Sequence, residues 1–583
     1  MSVNKDQMKK QIRQGRGIEK ADHVLKNCVV VDVFCGETVK ADVAICDEII
    51  VGVGKYKGKI ETDCQGAYVC PGFMEGHIHI ESSMLSPSEF AKTVLPHGTT
   101  TVICDPHEIA NVAGIEGINY FLEESRNACC SIFMMAPSCV PATHLETSGA
   151  VLSALDLQEI LQFQGVLGIA EMMNFPGVLF EDDGVLEKMI LAQKKKVIVD
   201  GHAPGLTGKD LQAYVGTGIL SDHECTTVAE AHEKLAAGMY LFIREGSTAK
   251  NLKSLIPVLN ARNSHRCLLV TDDCHPGELS QNGHLDRILR KAILLGVDPI
   301  TAIQMVTINV SNYFGLQDRG AIAPGRLADL VVVEDLKEIR VGKVFVRGRE
   351  IKNTASLVPK SNSDIRGAYP SVFDSVHVNI KNLSFTIAAK GTIARVIKIV
   401  PDQLITESVE FPMLINNEQA VSDIDRDILK IAVIERHMAS GNCGLGFVQG
   451  LGLKKGAIAS TISHDSHNIV IIGCNDQDMK TAVQVLVEQG GGLAVVCDGN
   501  VEGSLSLEIA GLMSSASALE VAETFSNVLK GVAKLGIDIE DPFMLMSFLA
   551  LPVIPHLKIT DIGLVNVDTF STTELWVDAK TTR

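Results

Sequence analysis

Basic charge is in short supply in this 583-residue chain: 52 Lys and Arg against 70 Asp and Glu give a formal net charge of −18, which argues against a general nucleic-acid or anionic-membrane binder. A small neutral or cationic partner is easier to accommodate. The longest apolar stretches, such as Ile469 to Cys474, are strand-sized and well short of the roughly 20 residues a membrane helix needs. Residues Met1 to Lys20 have no apolar core of the kind a secretory signal carries and read instead as an amphipathic helix. The 15 cysteines contain no C-x-x-C pair and only one adjacent pair, Cys129-Cys130, which indicates a reduced, cytosolic protein without a disulfide framework or a cysteine zinc site. Tryptophan occurs once and carries no functional message. Apolar residues are not scarce: at 46% hydrophobic and 21% charged the chain is an ordinary globular one, long enough for two or three domains.

Short β-rich runs separated by Gly and Asp fill residues 22–69, and a similar texture returns after Gly320 with a turn, a Val-rich run and a further strand at Val341 to Arg347. One small β-sandwich assembled from both flanks is therefore expected. Between the flanks, apolar runs alternate with helix-period segments such as Ser86 to Leu95 and Leu285 to Leu295. The runs are Val69 to Ile80, Thr99 to Cys104, Ser131 to Ala136, Val166 to Met172, Lys196 to Gly201, Gly218 to Asp222, Met239 to Arg244 and Cys267 to Thr271. Eight such units predict an α/β fold of the (β/α)₈ TIM-barrel type. The expected layout is an N-terminal helix and β-sandwich part over 1–69, the barrel over 70–318, the β-sandwich return over 319–355, a linker over 356–370, and a C-terminal α+β domain over 371–583. In that last domain the predicted strands are Val376 to Ile380, Ala394 to Ile399, Asn468 to Ile472 and Gly492 to Val496, with helices at Asp478 to Gln489 and Ser517 to Leu529.

Barrels of this type keep their chemistry at the C-terminal ends of the strands. There the sequence places His77 and His79 on the first strand, Glu171 on the fourth, His202 on the fifth, His223 on the sixth, and Asp272 followed by Asp273 on the eighth. Residues i and i+2 of a strand point the same way, so His77 and His79 aim at one point. Four imidazoles and two carboxylates suffice for two divalent metal ions, with Glu171 as the bridging carboxylate and a bridging water acidified toward neutrality. Asp272 is then the general base and acid of the reaction. His232, mid-helix, and His265, in a loop, read as solvated histidines.

The same residues resemble the amidohydrolase superfamily: an H-x-H strand, a carboxylate on the fourth strand, His on the fifth and sixth, and Asp on the eighth. More narrowly, PGFMEGHIHIESS at 71–83, DPHEIANVAG at 105–114, GHAPGLTG at 201–208, REGS at 244–247, GAIAPGRLAD at 320–329 and QLITES at 403–408 are similar to the bacterial adenine deaminase family, across both large domains. The run 166–173 contains Glu171 and no Lys, which separates the chain from relatives that bridge two metals with a carboxylated lysine. The resemblance implies hydrolytic deamination of adenine to hypoxanthine and ammonia in purine salvage, with two divalent ions, manganese or iron preferred and zinc as an alternative. It also implies a cytoplasmic homo-oligomer, a dimer or larger. Another binuclear hydrolase of a cyclic amide or aminated heterocycle is the alternative reading.

Protonation of a purine ring nitrogen falls to one of Glu81, His107, Glu108 or Glu245. Glu81 and Glu108 are equally well read as groups that orient the ligating histidines. Glu245 and Ser247 lie at the end of the seventh strand and are expected to touch substrate. Ser463 to His467 reads as a polar turn in preference to a cover over the barrel mouth, and Gly490 to Gly492 as a turn. The C-terminal domain is expected to support or cover the barrel without supplying metal ligands.

Overall fold

The computed structural model describes residues 4–247, 249–352, 354, 365–401 and 403–578. The expected linker residues 356–364 lie outside the described set. At the centre, β1 (Phe73–His79), β2 (Thr99–Cys104), β3 (Ser131–Ala136), β4 (Val166–Met172) and β5 (Ile198–Gly201) pair in parallel in chain order. β6 (Ser221–Asp222), β7 (Tyr240–Arg244) and β8 (Cys267–Val270) form a second parallel sheet. Two seams join the sheets. The Leu220 amide donates to the Val199 carbonyl at 3.0 Å between β5 and β6. Beyond β8 the chain runs beside β1, with Asp272 opposite Ile78 and Asp273 opposite His79. This is the TIM-type α/β architecture, and the seam at Asp272 brings the last strand against the first where both carry site residues.

These strands are apolar on both faces because helices cover the outside and side chains fill the inside. Met74, Ile103, Met135, Ala170, Phe242, Leu268 and Val270 form the inner layer. Phe242 is fully buried there, a contribution of about 1.5–3 kcal/mol. Outer helices start at side-chain caps: Ser86 accepts the Glu89 amide ahead of Pro87–Val94, and Asp182 accepts that of Val185 ahead of Asp183–Lys195.

The single run expected at 69–80 is two strands broken at Gly72. Tyr68–Pro71 belongs to the flanking sheet and Phe73–His79 to the barrel. A Cβ at Gly72 would sit 2.1 Å from the Thr100 hydroxyl, so only glycine allows the chain to turn there. The sixth strand is shorter than expected, two residues in place of five.

Both flanks share one sheet, in the order Arg349–Glu350, Val341–Val346, Leu330–Val333, Tyr68–Pro71, Ala21–Asp32, Glu37–Cys46, Ile49–Gly54, with Gly58–Asp63 beside Ala21–Asp32. Leu330 lies opposite Pro71 and Val332 opposite Val69, so the chain's two passes meet at an antiparallel pair.

The C-terminal part is built on an eight-stranded sheet whose central strands are Ile428–Ile434, Ile469–Gly473 and Ala457–Ser460. Helix Asp476–Glu488 buries Met479, Ala482, Val483 and Leu486 against it. The predicted strand at Val376 to Ile380 is not formed: Val376 and Val378 pack on this core, but the chain there pairs with no neighbouring strand among the described residues. This part is tied to the barrel by backbone bonds between Ser514 and Met84 (2.8 Å) and Ser86 and Ser514 (3.0 Å). Asn468 Nδ2 donates to Thr147 O at 2.8 Å, and Thr560 Oγ1 to Leu145 O at 2.7 Å.

Candidate active site

The strand ends bring His77, His79, Glu171, His202, His223 and Asp272 into one cluster, all buried except the half-buried His202. Glu171 is its centre. Its Oε1 lies 3.2 Å from His79 Nε2, and its Oε2 lies 2.8 Å from His202 Nδ1 and 3.0 Å from His223 Nε2. Asp272 Oδ1 lies 3.3 Å from His79 Nε2 and 3.6 Å from His77 Nε2. Glu171 thus faces imidazoles from three strands, and Asp272 faces the two on β1.

Four observations show that these residues suit divalent cations. His79 Nδ1 is 3.0 Å from the Asp105 carbonyl, which only accepts, so the proton sits on Nδ1 and the Nε2 lone pair faces the carboxylates. His77 Nε2 is buried with no hydrogen-bond partner among the described residues. Three donor groups, His77-His79-Asp272, His77-Glu171-His223 and His202-His223-Glu224, each gather their ligand atoms within 4.8 Å. The electrostatics agree. Burial alone would depress the imidazoles, but Asp272 and Glu171 raise His79 well above its ordinary value, and Glu224 and Glu171 push His202 up to about 9. Burial opposes ionisation of Glu171, yet His223 and His202 hold it well below the ordinary carboxyl range. Such a field attracts positive charge strongly.

Around the cluster stand residues that the sequence reading did not single out. Arg244, at the end of β7, donates from Nη1 to Asp272 Oδ2 at 2.8 Å and from Nη2 to Glu224 Oε2 at 2.8 Å. Glu224 also approaches His223 Nε2 at 3.4 Å. Glu224 follows a predicted ligand directly and Arg244 opens REGS, so position alone could have flagged both. Glu75, fully buried on β1, accepts the Thr271 hydroxyl at 2.9 Å and its amide at 3.2 Å, which locks β8 to β1 beneath Asp272.

The other predicted residues divide. His107 joins the cluster, with Nδ1 3.2 Å from Asp105 Oδ2 and 3.7 Å from Glu171 Oε1. Glu81 accepts the Ile109 amide at 3.2 Å, and burial together with Glu108 pushes its carboxyl up to about 8. Glu108 accepts the Ser82 hydroxyl at 3.2 Å, and Ser82 also donates to Asp273. Glu245 and Ser247 are engaged elsewhere. Glu245 is ion-paired with Lys291 and accepts the Leu252 amide at 3.2 Å, while Ser247 donates to Glu278 and accepts the His275 amide at 2.9 Å. Both side chains are thereby engaged in the packing behind β7.

The segment Ser463 to His467 is not a solvated turn. It is buried throughout, with His464 Nδ1 3.7 Å from Glu108 Oε1 and Asp465 Oδ1 4.0 Å from His107 Nε2. No local pattern could announce that a connection more than 350 residues from Glu108 meets it.

Fold and side-chain set together define an amidohydrolase-type barrel, and residues 68–351 match the family model described as Amidohydrolase family. Residues 403–571 match that of the Adenine deaminase C-terminal domain. An adenine deaminase of Desulfatibacillum aliphaticivorans is 47% identical over 565 residues, covering 97% of this chain and 99% of its own. Adenine deaminase 2 of Carboxydothermus hydrogenoformans is 48% identical over 561 residues, covering 95% and 97%. The adenine deaminase of Clostridium acetobutylicum is 46% identical over 571 residues, covering 97% and 99%. The chain belongs to the adenine deaminase family.

Proposed function

We propose that this chain hydrolyses adenine to hypoxanthine and ammonia. The observation that carries the reading is the buried cluster centred on Glu171, set in a chain that aligns with adenine deaminases over nearly its whole length. His77, His79, His202, His223, Glu171 and Asp272 would hold two divalent ions. When bound, the ions supply a water acidified toward neutral pH. Manganese or iron is the proposed pair, with zinc as an alternative.

Asp272 takes the proton of the attacking water and returns it to the C6 amino group, so that ammonia and not an amide anion departs. Arg244 fixes the Asp272 carboxylate through Oδ2 and leaves Oδ1 at the histidines. Glu81, His107 and Glu108 are the candidates for protonating the purine ring, with Glu81 and Glu108 also orienting the ligand strands through Ile109 and Ser82. Glu245 and Ser247 are proposed to be structural. The remaining proposals are the domain layout set out above, a homo-oligomeric assembly, and a cytoplasmic role in purine salvage. No described helix is long and apolar enough to cross a membrane.

Ammonia release from adenine by manganese-reconstituted protein tests the reading. Turnover by the intact protein and its loss in Glu171→Ala support it; an intact protein that binds two ions but leaves adenine untouched overturns the substrate.

A further inference from the structure

The segment Ser463–His467 connects two central strands of the C-terminal sheet and ends against the barrel's reactive cluster. Four of its side-chain atoms, Ser463 Oγ, His464 Nε2, Asp465 Oδ2 and His467 Nε2, are buried without a hydrogen-bond partner among the described residues. Buried polar groups are paired almost without exception, so four orphans within five residues beside the reactive cluster mark where a polar ligand belongs.

A third cation is the first candidate, because Glu108, His464 and His467 bring donor atoms within 4.8 Å of one another. The tautomer excludes it. His467 Nδ1 accepts the Ser463 amide at 3.2 Å, so its proton is on Nε2, and the atom facing Glu108 at 4.0 Å is a donor without a free lone pair. Asp465 is different. It lies 2% exposed, its Oδ1 is 3.4 Å from His464 Nδ1, and its Oδ2 remains free to accept. The His107 ring separates it from Glu171, with Nε2 4.0 Å from Asp465 Oδ1 and Nδ1 3.7 Å from Glu171 Oε1. A base lying flat against the His107 ring, with its C6 end at Glu171, would carry its five-membered ring toward Asp465.

We propose that Asp465 accepts the N–H of the purine's five-membered ring, so that the C-terminal domain selects the free base over its nucleosides. That N–H is the one donor that a nucleoside has exchanged for a sugar. A buried acceptor left unpaired by the wrong substrate rejects it strongly, whereas shape alone discriminates weakly. The inference rests on the adenine reading of the site.

Full-length, metal-reconstituted protein is assayed with adenine and with 9-methyladenine, which lacks the N–H. Asp465→Ala should raise KM for adenine about ten- to a hundredfold while kcat changes only a few-fold. Asp465→Asn, which keeps the shape and a neutral acceptor, should fall between. The preference of the intact protein for adenine over 9-methyladenine should shrink at least tenfold in Asp465→Ala, with bound metal unchanged. A variant that keeps both its KM and that preference, or that loses a bound ion, overturns the proposal. Absence of adenine turnover by the intact protein overturns the deaminase reading itself and is read on that sample alone.

Discussion

Arg244→Met removes the guanidinium shared by the buried Asp272 carboxylate and the half-buried Glu224 carboxylate. Arg244 donates to Asp272 Oδ2 and Glu224 Oε2 at 2.8 Å each, and is itself 8% exposed. Met preserves much of the side chain's volume, so the loss is electrostatic. Breaking a buried ion pair leaves its partner uncompensated at about 3–5 kcal/mol, against about 0–1 kcal/mol for an exposed pair. Lys398 and Glu407, 2.7 Å apart and both exposed, provide the control in Lys398→Met. The comparison is best made by urea unfolding of chelator-treated protein, so that bound ions do not replace the missing charge. Trp576 lies in the C-terminal part and its fluorescence follows that part, while helical circular dichroism reports the barrel as well. A second readout is the pH profile of turnover. Burial raises the Asp272 carboxyl, but the neighbouring His77 and His79 imidazoles and the Arg244 charge hold it well below the ordinary range. A depressed carboxyl contributes stability above its unfolded pKa, and that contribution is lost as pH falls through the folded value. Without Arg244 the folded value rises, and the acidic limb of activity moves to higher pH. A variant no less stable than Lys398→Met, with an unmoved acid limb, would refute the assignment of Arg244 as the holder of Asp272.

Glu171→Gln keeps the shape but places an amide nitrogen against one histidine pair; metal content should drop and turnover fall by more than about a hundredfold, read by elemental analysis and ammonia release. Glu245→Ala should leave KM for adenine unchanged while lowering stability by about 1 kcal/mol, since the buried Leu252 amide loses its acceptor; a large KM effect would restore Glu245 to the substrate site. Lys558 is fully buried, donates to Leu404 O at 2.9 Å, and burial lowers its pKa from 10.5 to about 7. The unfolded chain therefore holds more protons between those values, and stability rises with pH across that window. Lys558→Met should stabilise the protein at neutral pH by about 2–4 kcal/mol and flatten that rise in urea titrations.

That six strand-end residues gather in one cluster was legible because strand geometry constrains it. His77 and His79 share a face by the period of two, and Glu171, His202, His223 and Asp272 sit where parallel strands end, so local pattern and barrel logic place all six together. Glu245 sits equally well at a strand end, but the sequence does not show that Lys291, on a helix outside the barrel, is near enough to draw its carboxylate away. The break at Gly72 is invisible for a related reason, since the clash that demands glycine comes from Thr100 on another strand. Least legible was Ser463 to His467. Its Ser, Asp and His composition is that of a surface turn, and only docking of the sheet through Ser514 and Asn468 buries it against the barrel.

That docking has a consequence for the order in which the protein comes into being. The six residues that gather around Glu171 are all synthesised by position 272, whereas the connection that meets His107 and Glu108 emerges nearly 200 residues later. A nascent chain can thus gather these six residues before the segment that covers them exists. Enclosure of the site coincides with completion of the C-terminal sheet, so an unfinished or truncated polypeptide carries the cluster's imidazoles and carboxylates without the enclosure that Ser463–His467 provides.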